Sequence, residues 1–246
     1  MLLSSGLGGA GAFWAPQLDA LSGRYRVVTY DHRGTNGSPG LLPEPYSIAA
    51  MADDVADVLD AVGAEQAHVI GHALGGIVGL ELARRQPCRV ESLVVVNGWV
   101  RAGAHTRRCF DVRRDLLRGS GPEAYVRAQP LFLYPAAWME AHAERLARED
   151  AHGVAHFQGS ATLLARIEAL LAFDATGWLG EVRCPVLVAA SRDDLLVPWT
   201  ASEAVAAGLP DARLWTVPEG GHGFTVTQAG PFNEAVLEFL ERNRFW

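Results

Sequence analysis

The 246-residue sequence predicts an α/β fold, with a mostly parallel, doubly wound sheet and an inserted helical cap. Two observations lead to this prediction. Short runs rich in β-branched residues alternate with segments of helical periodicity, and several of the runs are apolar on both faces, as in a buried parallel sheet. One long segment, 99–183, interrupts the alternation with helical patterns alone. We therefore expect one folding unit carrying a cap.

The predicted elements follow in chain order. The chain opens with LLSSGLGG, which is typical of a strand that runs into a glycine-rich turn. Further strands are predicted at 26–30, 67–70, 92–96, 185–190 and 213–217. Helices are predicted at 48–62, where aspartates alternate with apolar residues, and at 233–240.

The cap is predicted from the segment that lacks strands. Residues 161–171 illustrate it, because one face of a helix there would carry Leu163, Leu164, Ile167, Leu170 and Leu171. We predict a core formed by 1–98 and 184–246 and a cap formed by 99–183. Repeats and polar linkers are absent from the sequence, so cap and core are expected to form one continuous body.

Composition narrows the class of ligand. The net charge is −7 without any basic run, which argues against nucleic acid or an anionic membrane as a partner and favours a small molecule. All 21 basic residues are arginine, which excludes a phosphate-loop lysine and a pyridoxal Schiff base, and we predict no cofactor. The sequence does not determine the oligomeric state.

The three cysteines are widely spaced, which predicts buried, reduced thiols rather than disulfides or a metal site: Cys88, Cys109 and Cys184. The start Met1-Leu2-Leu3 lacks a basic region, and apolar runs are too short to span a bilayer. These features predict a cytoplasmic protein.

A nucleophile elbow is indicated at 69–79, VIGHALGGIVG. In this motif a sharp strand-to-helix turn between two glycines lifts the attacking side chain above the sheet. Gly71 and Gly75 have the required spacing, but the central residue is Ala73, whose methyl group cannot attack a substrate. Alone, the motif fits a glycine-rich junction without catalytic meaning equally well.

Two backbone amides are candidates for an oxyanion hole. In sites of this type one donor comes from a glycine-rich loop after an early strand and the other from the residue after the elbow centre. Gly6-Leu7-Gly8-Gly9 has the first position and Leu74 the second. We therefore predict the N–H groups of Leu7 and Leu74 as donors.

An acid and a histidine follow in the chain order that such sites use. Asp194 comes after the strand at 185–190, and its spacing to Val197-Pro198 favours it over Asp193, although both could instead cap the next helix. His222 lies between glycines after the last strand, and we predict that Asp194 orients it as the base. His72 is expected to line the site passively.

Other polar and aromatic residues receive structural interpretations. The loop at 31–38, DHRGTNGS, is expected to brace the site, and cap histidines His142, His152 and His156 are expected to pack or lie on the surface. A run of cap arginines could attract a small anion, although such runs are typical of a solvated helix face: Arg107, Arg108, Arg113 and Arg114. Phe132, Tyr134 and Trp138 could form a wall of the pocket, although we expect them in the cap core.

With elbow, acid and histidine in order, the chain resembles the α/β hydrolases over its whole length. It begins inside what is usually their third strand, so we expect the first two strands to be absent, through a start assigned too far downstream or through a shortened form with 26–30 at the sheet edge. A more specific resemblance, to the pyrimidine-utilisation protein D (RutD) family, rests on VNGW at 96–99, AHTRRCF at 104–110, QPLFLYP at 129–135, AHFQG at 155–159 and DDLLVP at 193–198.

The resemblance implies a hydrolase of uracil breakdown that converts carbamate to ammonia and carbon dioxide or, alternatively, 3-aminoacrylate to malonic semialdehyde and ammonia. It also implies that an alanine at position 73 occurs naturally in the family; an engineered Ser→Ala change is the alternative. A labile substrate needs only positioning and proton transfer, which His222 and Asp194 could supply. A non-catalytic binder, or an esterase deprived of its serine, remains a competing hypothesis.

Overall fold

The computed structural model describes residues 1–243. Its strands are β1 (Leu2–Ser4), β2 (Val28–Thr29), β3 (Ala67–His72), β4 (Val90–Val96), β5 (Val186–Ser191) and β6 (Ala212–Val217). They form one sheet in the order β2-β1-β3-β4-β5-β6, and every neighbouring pair is parallel. The predicted fold class is confirmed. The predicted strand at 26–30 is two residues long in the structure, lies at the edge of the sheet and pairs with β1.

Helices connect the strands and cover both faces of the sheet. They are α1 (Ala15–Ser22), α2 (Ile48–Ala61), α3 (Leu74–Arg85), α4 (Ala104–Leu133), α5 (Ala136–Ala141), α6 (Ala143–Ala155), α7 (Ser160–Ala172), α8 (Trp199–Gly208), α9 (Phe224–Thr227) and α10 (Ala229–Arg242). The helices predicted at 48–62, 161–171 and 233–240 correspond to α2, α7 and α10. Among the described helices, none is long and apolar enough to cross a bilayer.

Alternating strand residues divide the core into two layers, as the two-residue repeat of a strand requires. Val69 and Leu93 belong to the layer shared with α2 and α3, whereas Ile70 and Val94 belong to the layer shared with α1 and α10. All four side chains are buried. Helices on both sides explain why these strands are apolar on both faces.

The helices α4 to α7 lie between β4 and β5 in the chain, where the cap was predicted. Buried side chains of α4 and α7 join the same apolar cluster as the α2 and α3 side of the sheet, among them Phe110, Leu117, Leu163, Ile167 and Leu170. Gly121, with φ of 85°, interrupts α4 ahead of Pro122. The division into core 1–98 and 184–246 and cap 99–183 stays a prediction.

The cysteine prediction is correct in part. All three thiols are free, and Cys109 is buried, but Cys88 is exposed and Cys184 is half-buried. Cys88 lies in a short 3-10 turn that leads into β4, on the surface rather than in a strand or a packed helix face. Within residues 1–243, no group of three or more potential ligand side chains could hold a metal ion.

Candidate active site

The parallel register places the site at the carboxyl ends of the strands. Ser4 is aligned with Gly71, His72 with Val96, and Val96 with Ala189. The residues that follow β1, β3, β4, β5 and β6 therefore meet at one edge of the sheet, which is where open α/β sheets bind ligands. The predicted loop, elbow, acid and histidine follow β1, β3, β5 and β6, respectively.

The elbow at Ala73 is a strained strand-to-helix turn. Ala73 has φ of 48° and ψ of −105°, a backbone conformation that side chains disfavour. A Cβ at Gly71 would lie 2.2 Å from the carbonyl oxygen of Gly75, and a Cβ at Gly75 would lie 2.1 Å from that of Ser4. Only glycine fits both positions, so this junction has the packing of a nucleophile elbow although it ends in a methyl group.

His222 and Asp194 form a buried pair. The Nδ1 atom of His222 lies 2.7 Å from Oδ2 of Asp194, and both side chains are almost completely buried. The other carboxylate oxygen, Oδ1, accepts hydrogen bonds from the amides of Leu196 at 2.8 Å and Val197 at 2.9 Å. Because the carboxylate only accepts, Nδ1 carries the proton, and Nε2 is left as the ring's second functional atom.

Asp193 has a separate role, which the sequence interpretation missed. Its carboxylate accepts hydrogen bonds from the Ser191 hydroxyl at 2.6 Å and from the amides of Gly221 at 2.8 Å and Gly220 at 3.1 Å. Although burial opposes the charge, these three donors hold the pKa of Asp193 below its ordinary value. Asp194 contacts the histidine ring, whereas Asp193 holds the loop that carries it.

Two side chains hold the backbone of His222 in place. The carbonyl oxygen of His222 accepts hydrogen bonds from Nε2 of His72 at 2.9 Å and from Nδ2 of Asn97 at 2.7 Å. Burial, and secondarily the charge of His222, lower the pKa of His72 to about 3, so its ring is neutral near pH 7. His72 is therefore a positioning residue, and Asn97, directly after β4, is a second one that the sequence interpretation missed.

The predicted oxyanion donors are free. Among residues 1–243, no protein group accepts a hydrogen bond from the amide of Leu7 or of Leu74. Leu74 is the first residue of α3, where the helix leaves its N–H groups unpaired and the dipole favours negative charge. Both residues line the same cavity as His222 and Ala73. The arrangement can accept a small anion or a developing oxyanion.

A buried arginine of α7 holds the loop that carries Leu7. Nη2 of Arg166 in α7 donates to the carbonyl oxygen of Leu7 at 3.3 Å and to Nδ1 of His32 at 3.0 Å, and Gln158 donates to the same carbonyl at 3.4 Å. Arg166 is fully buried. Burial and the neighbouring guanidinium lower the pKa of His32 well below its ordinary value, so His32 accepts as a neutral ring.

The cavity above the elbow has a volume of about 610 Å³, within the range of sites for drug-sized ligands. Most of its wall is apolar, with Leu7, Phe13, Leu74, Trp99, Phe110, Leu133, Leu170 and Val226. Tyr134, which was expected in the cap core, also lines it, and burial raises the pKa of Tyr134 to about 12. Of the four cap arginines predicted as a possible anion site, Arg113 lines this cavity.

The remaining predicted residues lie around the site. Asp31 accepts hydrogen bonds from the amides of Gly11 at 2.8 Å and Gly37 at 2.9 Å, consistent with a bracing loop. Arg107 donates to the carbonyls of Ala102 and Leu171, and Arg114 is paired with Asp111. These two arginines therefore have protein partners, unlike a guanidinium that awaits an anion.

Comparison with known proteins gives concordant results. The family described as alpha/beta hydrolase fold matches residues 1–227. A protein of Agrobacterium fabrum with the name "Putative carbamate hydrolase RutD" is 55% identical over 240 residues, which are 98% of this chain and 92% of the relative. A protein of the same name from Caulobacter vibrioides is 56% identical over 241 residues, 98% of this chain and 90% of the relative.

Two solved structures share the fold. The enol-lactonase from Burkholderia xenovorans superimposes with a TM-score of 0.88 at 28% identity and covers 98% of this chain and 90% of that chain. A hydrolase from Pseudomonas aeruginosa gives a TM-score of 0.86 at 32% identity and covers 97% of this chain and 88% of that chain.

Proposed function

This chain belongs to the α/β-hydrolase family and, within it, to the RutD proteins, and from that membership we propose that it converts carbamate to ammonia and carbon dioxide. The observation that carries the proposal is the His222–Asp194 pair, whose histidine lines one cavity with Ala73 and with Leu7 and Leu74, the residues of the two predicted donor amides. A hydrolase of pyrimidine utilisation that acts on a carbon–nitrogen bond fits this family.

The proposed reaction needs no covalent intermediate. Carbamate loses its amine spontaneously once the nitrogen is protonated, so the protein has to position the anion and transfer one proton. In enzymes with a serine triad, the oxyanion hole and binding alone retain an acceleration of about 10³ to 10⁴ over water. The absence of a hydroxyl at position 73 is therefore compatible with catalysis of a labile substrate.

The amides of Leu7 and Leu74 hold the carboxylate oxygens of carbamate. Protonated His222 donates the Nε2 proton to the carbamate nitrogen, the carbon–nitrogen bond breaks with its electron pair going to nitrogen, and carbon dioxide and ammonia leave. Asp194 stabilises the imidazolium before the transfer and keeps the ring in orientation. Water returns a proton to Nε2, which completes the cycle.

The second candidate function is a non-catalytic binder of a pathway intermediate. It is favoured by Ala73 together with the size of the cavity, because about 610 Å³ greatly exceeds the space that the four non-hydrogen atoms of carbamate need. A binder predicts saturable binding without faster ammonia release.

The test is the rate of ammonia release from freshly generated carbamate, with and without protein. We expect the His222→Ala variant to lose roughly 10²-fold or more of the acceleration, as removal of a general acid does, and Asp194→Asn to be impaired as well. His156→Ala, which alters an exposed cap histidine, is the matched control. Equal rates for wild type and His222→Ala would contradict the mechanism, and binding without any acceleration would favour the binder.

A further inference from the structure

The cap contains a buried cation without a counter-ion. Arg113 in α4 is 3% exposed, and its guanidinium lies 4.8 Å from the ring centre of Phe110, 5.4 Å from that of Tyr125 and 5.5 Å from that of Phe132. Within residues 1–243, no carboxylate forms an ion pair with it. A charge removed from water without a partner is costly, so such a group is retained where something compensates it.

Within residues 1–243, one nitrogen of this guanidinium makes hydrogen bonds to the protein. Nη2 donates to the Tyr125 hydroxyl at 2.8 Å and to the side-chain oxygen of Gln129. Nε is buried without a partner, and in the described part of the chain Nη1 also has none, although it is not among the atoms sealed from solvent. In the described part of the chain, Nη2 already makes two hydrogen bonds and Nε is sealed from solvent, so Nη1 is the guanidinium nitrogen left to donate to a ligand.

Arg113 borders the cavity of the candidate active site. Arg113 and Gln129 line that cavity together with His222 and Ala73. The other charged pair on this wall, Arg145 and Glu149, is internally compensated, with Nε of Arg145 2.7 Å from Oε1 of Glu149. Among the arginines of residues 1–243 that line this cavity, Arg113 is therefore the one without a carboxylate partner.

The rest of the wall indicates what the anion carries. The space is lined by aromatic and aliphatic side chains and is far larger than a bare small anion requires, so it would bury an apolar group favourably. Carbamate has no such group. A carboxylate with an organic body would satisfy both the guanidinium and the apolar wall.

We infer that Arg113 binds the carboxylate of an organic monocarboxylate ligand whose apolar body occupies the cavity next to His222. This inference rests on the proposed function only in using the same cavity, and it widens the ligand class from carbamate to carboxylates with a separate apolar group. Arg113 is thus a specificity-determining residue of the cap, held by Tyr125 and Gln129.

The experiment measures binding, without turnover. Titration calorimetry at pH 7 compares phenylacetate with its neutral isostere phenylacetamide, and with acetate, which has the head group but almost no body. We expect wild-type protein to bind phenylacetate saturably, and both phenylacetamide and acetate at least about tenfold more weakly. Hydrogen bonds to a charged group of this kind correspond to roughly ten- to hundredfold in affinity.

Variants assign the effect to Arg113. Arg113→Met should weaken phenylacetate binding by roughly ten- to hundredfold and leave phenylacetamide binding nearly unchanged, and Arg113→Lys should retain part of the preference for the acid. Arg108→Met, which alters an exposed arginine of the same helix, is the matched control and should bind like wild type.

The inference would be overturned if wild-type protein binds the acid and the amide equally or does not bind phenylacetate. It would also be overturned if a folded Arg113→Met protein binds phenylacetate with wild-type affinity. If Arg113→Met does not fold, the comparison of acid with amide on wild-type protein and on Arg113→Lys still decides. Failure here leaves ammonia release from carbamate untouched, so the two proposals can fail separately.

Discussion

Two adjacent aspartates that follow β5 hold different parts of the segment that carries His222. Asp194 bonds to the ring of His222 and to two amides of its own turn, while Asp193 bonds to two amides of the histidine loop. From the other side, His72 and Asn97 donate to the carbonyl oxygen of His222. Ring and backbone are thus held by different groups, which limits the ring to one orientation toward the cavity.

The position of Ala73 leads to a prediction of restored nucleophilic chemistry. Ala73→Ser adds a hydroxyl at a residue that already has the strained elbow backbone and shares a cavity with His222. We expect a burst of about one p-nitrophenolate per protein from p-nitrophenyl acetate, because a serine beside an oriented histidine forms an acyl-enzyme. The burst is followed by stopped-flow absorbance.

The double variant Ala73→Ser with His222→Ala serves as the control and should show no burst. Acylation by Ala73→Ser alone that is no faster than by wild-type protein would mean that the histidine cannot serve position 73, and the interpretation of this turn as a nucleophile elbow would fail.

At the scale of elements, the contact between β1 and the start of α3 aligns the elbow with the loop after β1. The backbone of Gly75 lies so close to Ser4 that no side chain fits between them, and the loop after β1 carries Leu7. The cap contributes to the same loop, because Arg166 and Gln158 donate to the Leu7 carbonyl. The sheet and the segment between β4 and β5 therefore both position the amide predicted as an oxyanion donor.

The close approach at Gly75 predicts a large loss of stability on substitution. Gly75→Ala places a Cβ 2.1 Å from the Ser4 carbonyl oxygen, so α3 and β1 must separate, and we expect the free energy of unfolding to fall by about 3 kcal/mol or more. Gly119→Ala is the matched control, since α4 leaves open space at Gly119 and the helix should gain roughly 0.5–1 kcal/mol.

Urea denaturation followed by circular dichroism measures both variants. Equal stabilities of Gly75→Ala and Gly119→Ala would show that the junction adapts to a side chain, contrary to the tight packing described here.

At the scale of the whole molecule, local sequence patterns predict the α/β framework and the chain order of the site. The strands 67–70 and 185–190, the helix at 48–62 and the pair Asp194 and His222 depend on periodicity or on position after a strand. His72, Asn97 and Arg166 contact segments that are distant in the sequence, because the sheet brings the strand ends together. Local sequence patterns do not predict such contacts. The size of the cavity likewise results from the packing of the cap.

The burial of two neutral histidines also acts on the stability of the whole molecule. The ordinary pKa of a histidine is near 6.5. Burial is the main cause that lowers the pKa of His32 well below this value and the pKa of His72 to about 3. Below about pH 6.5 the unfolded chain binds protons that the folded protein excludes. Stability is therefore full above pH 6.5 and declines as the pH falls toward the folded values.

We expect the free energy of unfolding to decrease between pH 6.5 and 4.5 with a contribution of up to about 1.4 kcal/mol per pH unit from each of these histidines. Urea denaturation at intervals of one pH unit measures the slope. Glutamine does not titrate, so His72→Gln should reduce the slope by up to the equivalent of one bound proton, about 1.4 kcal/mol per pH unit. His156→Gln, at an exposed position, should leave the slope unchanged. Parallel curves for wild type and His72→Gln would show that His72 takes up its proton in the folded protein, which would contradict its role as a neutral donor to His222.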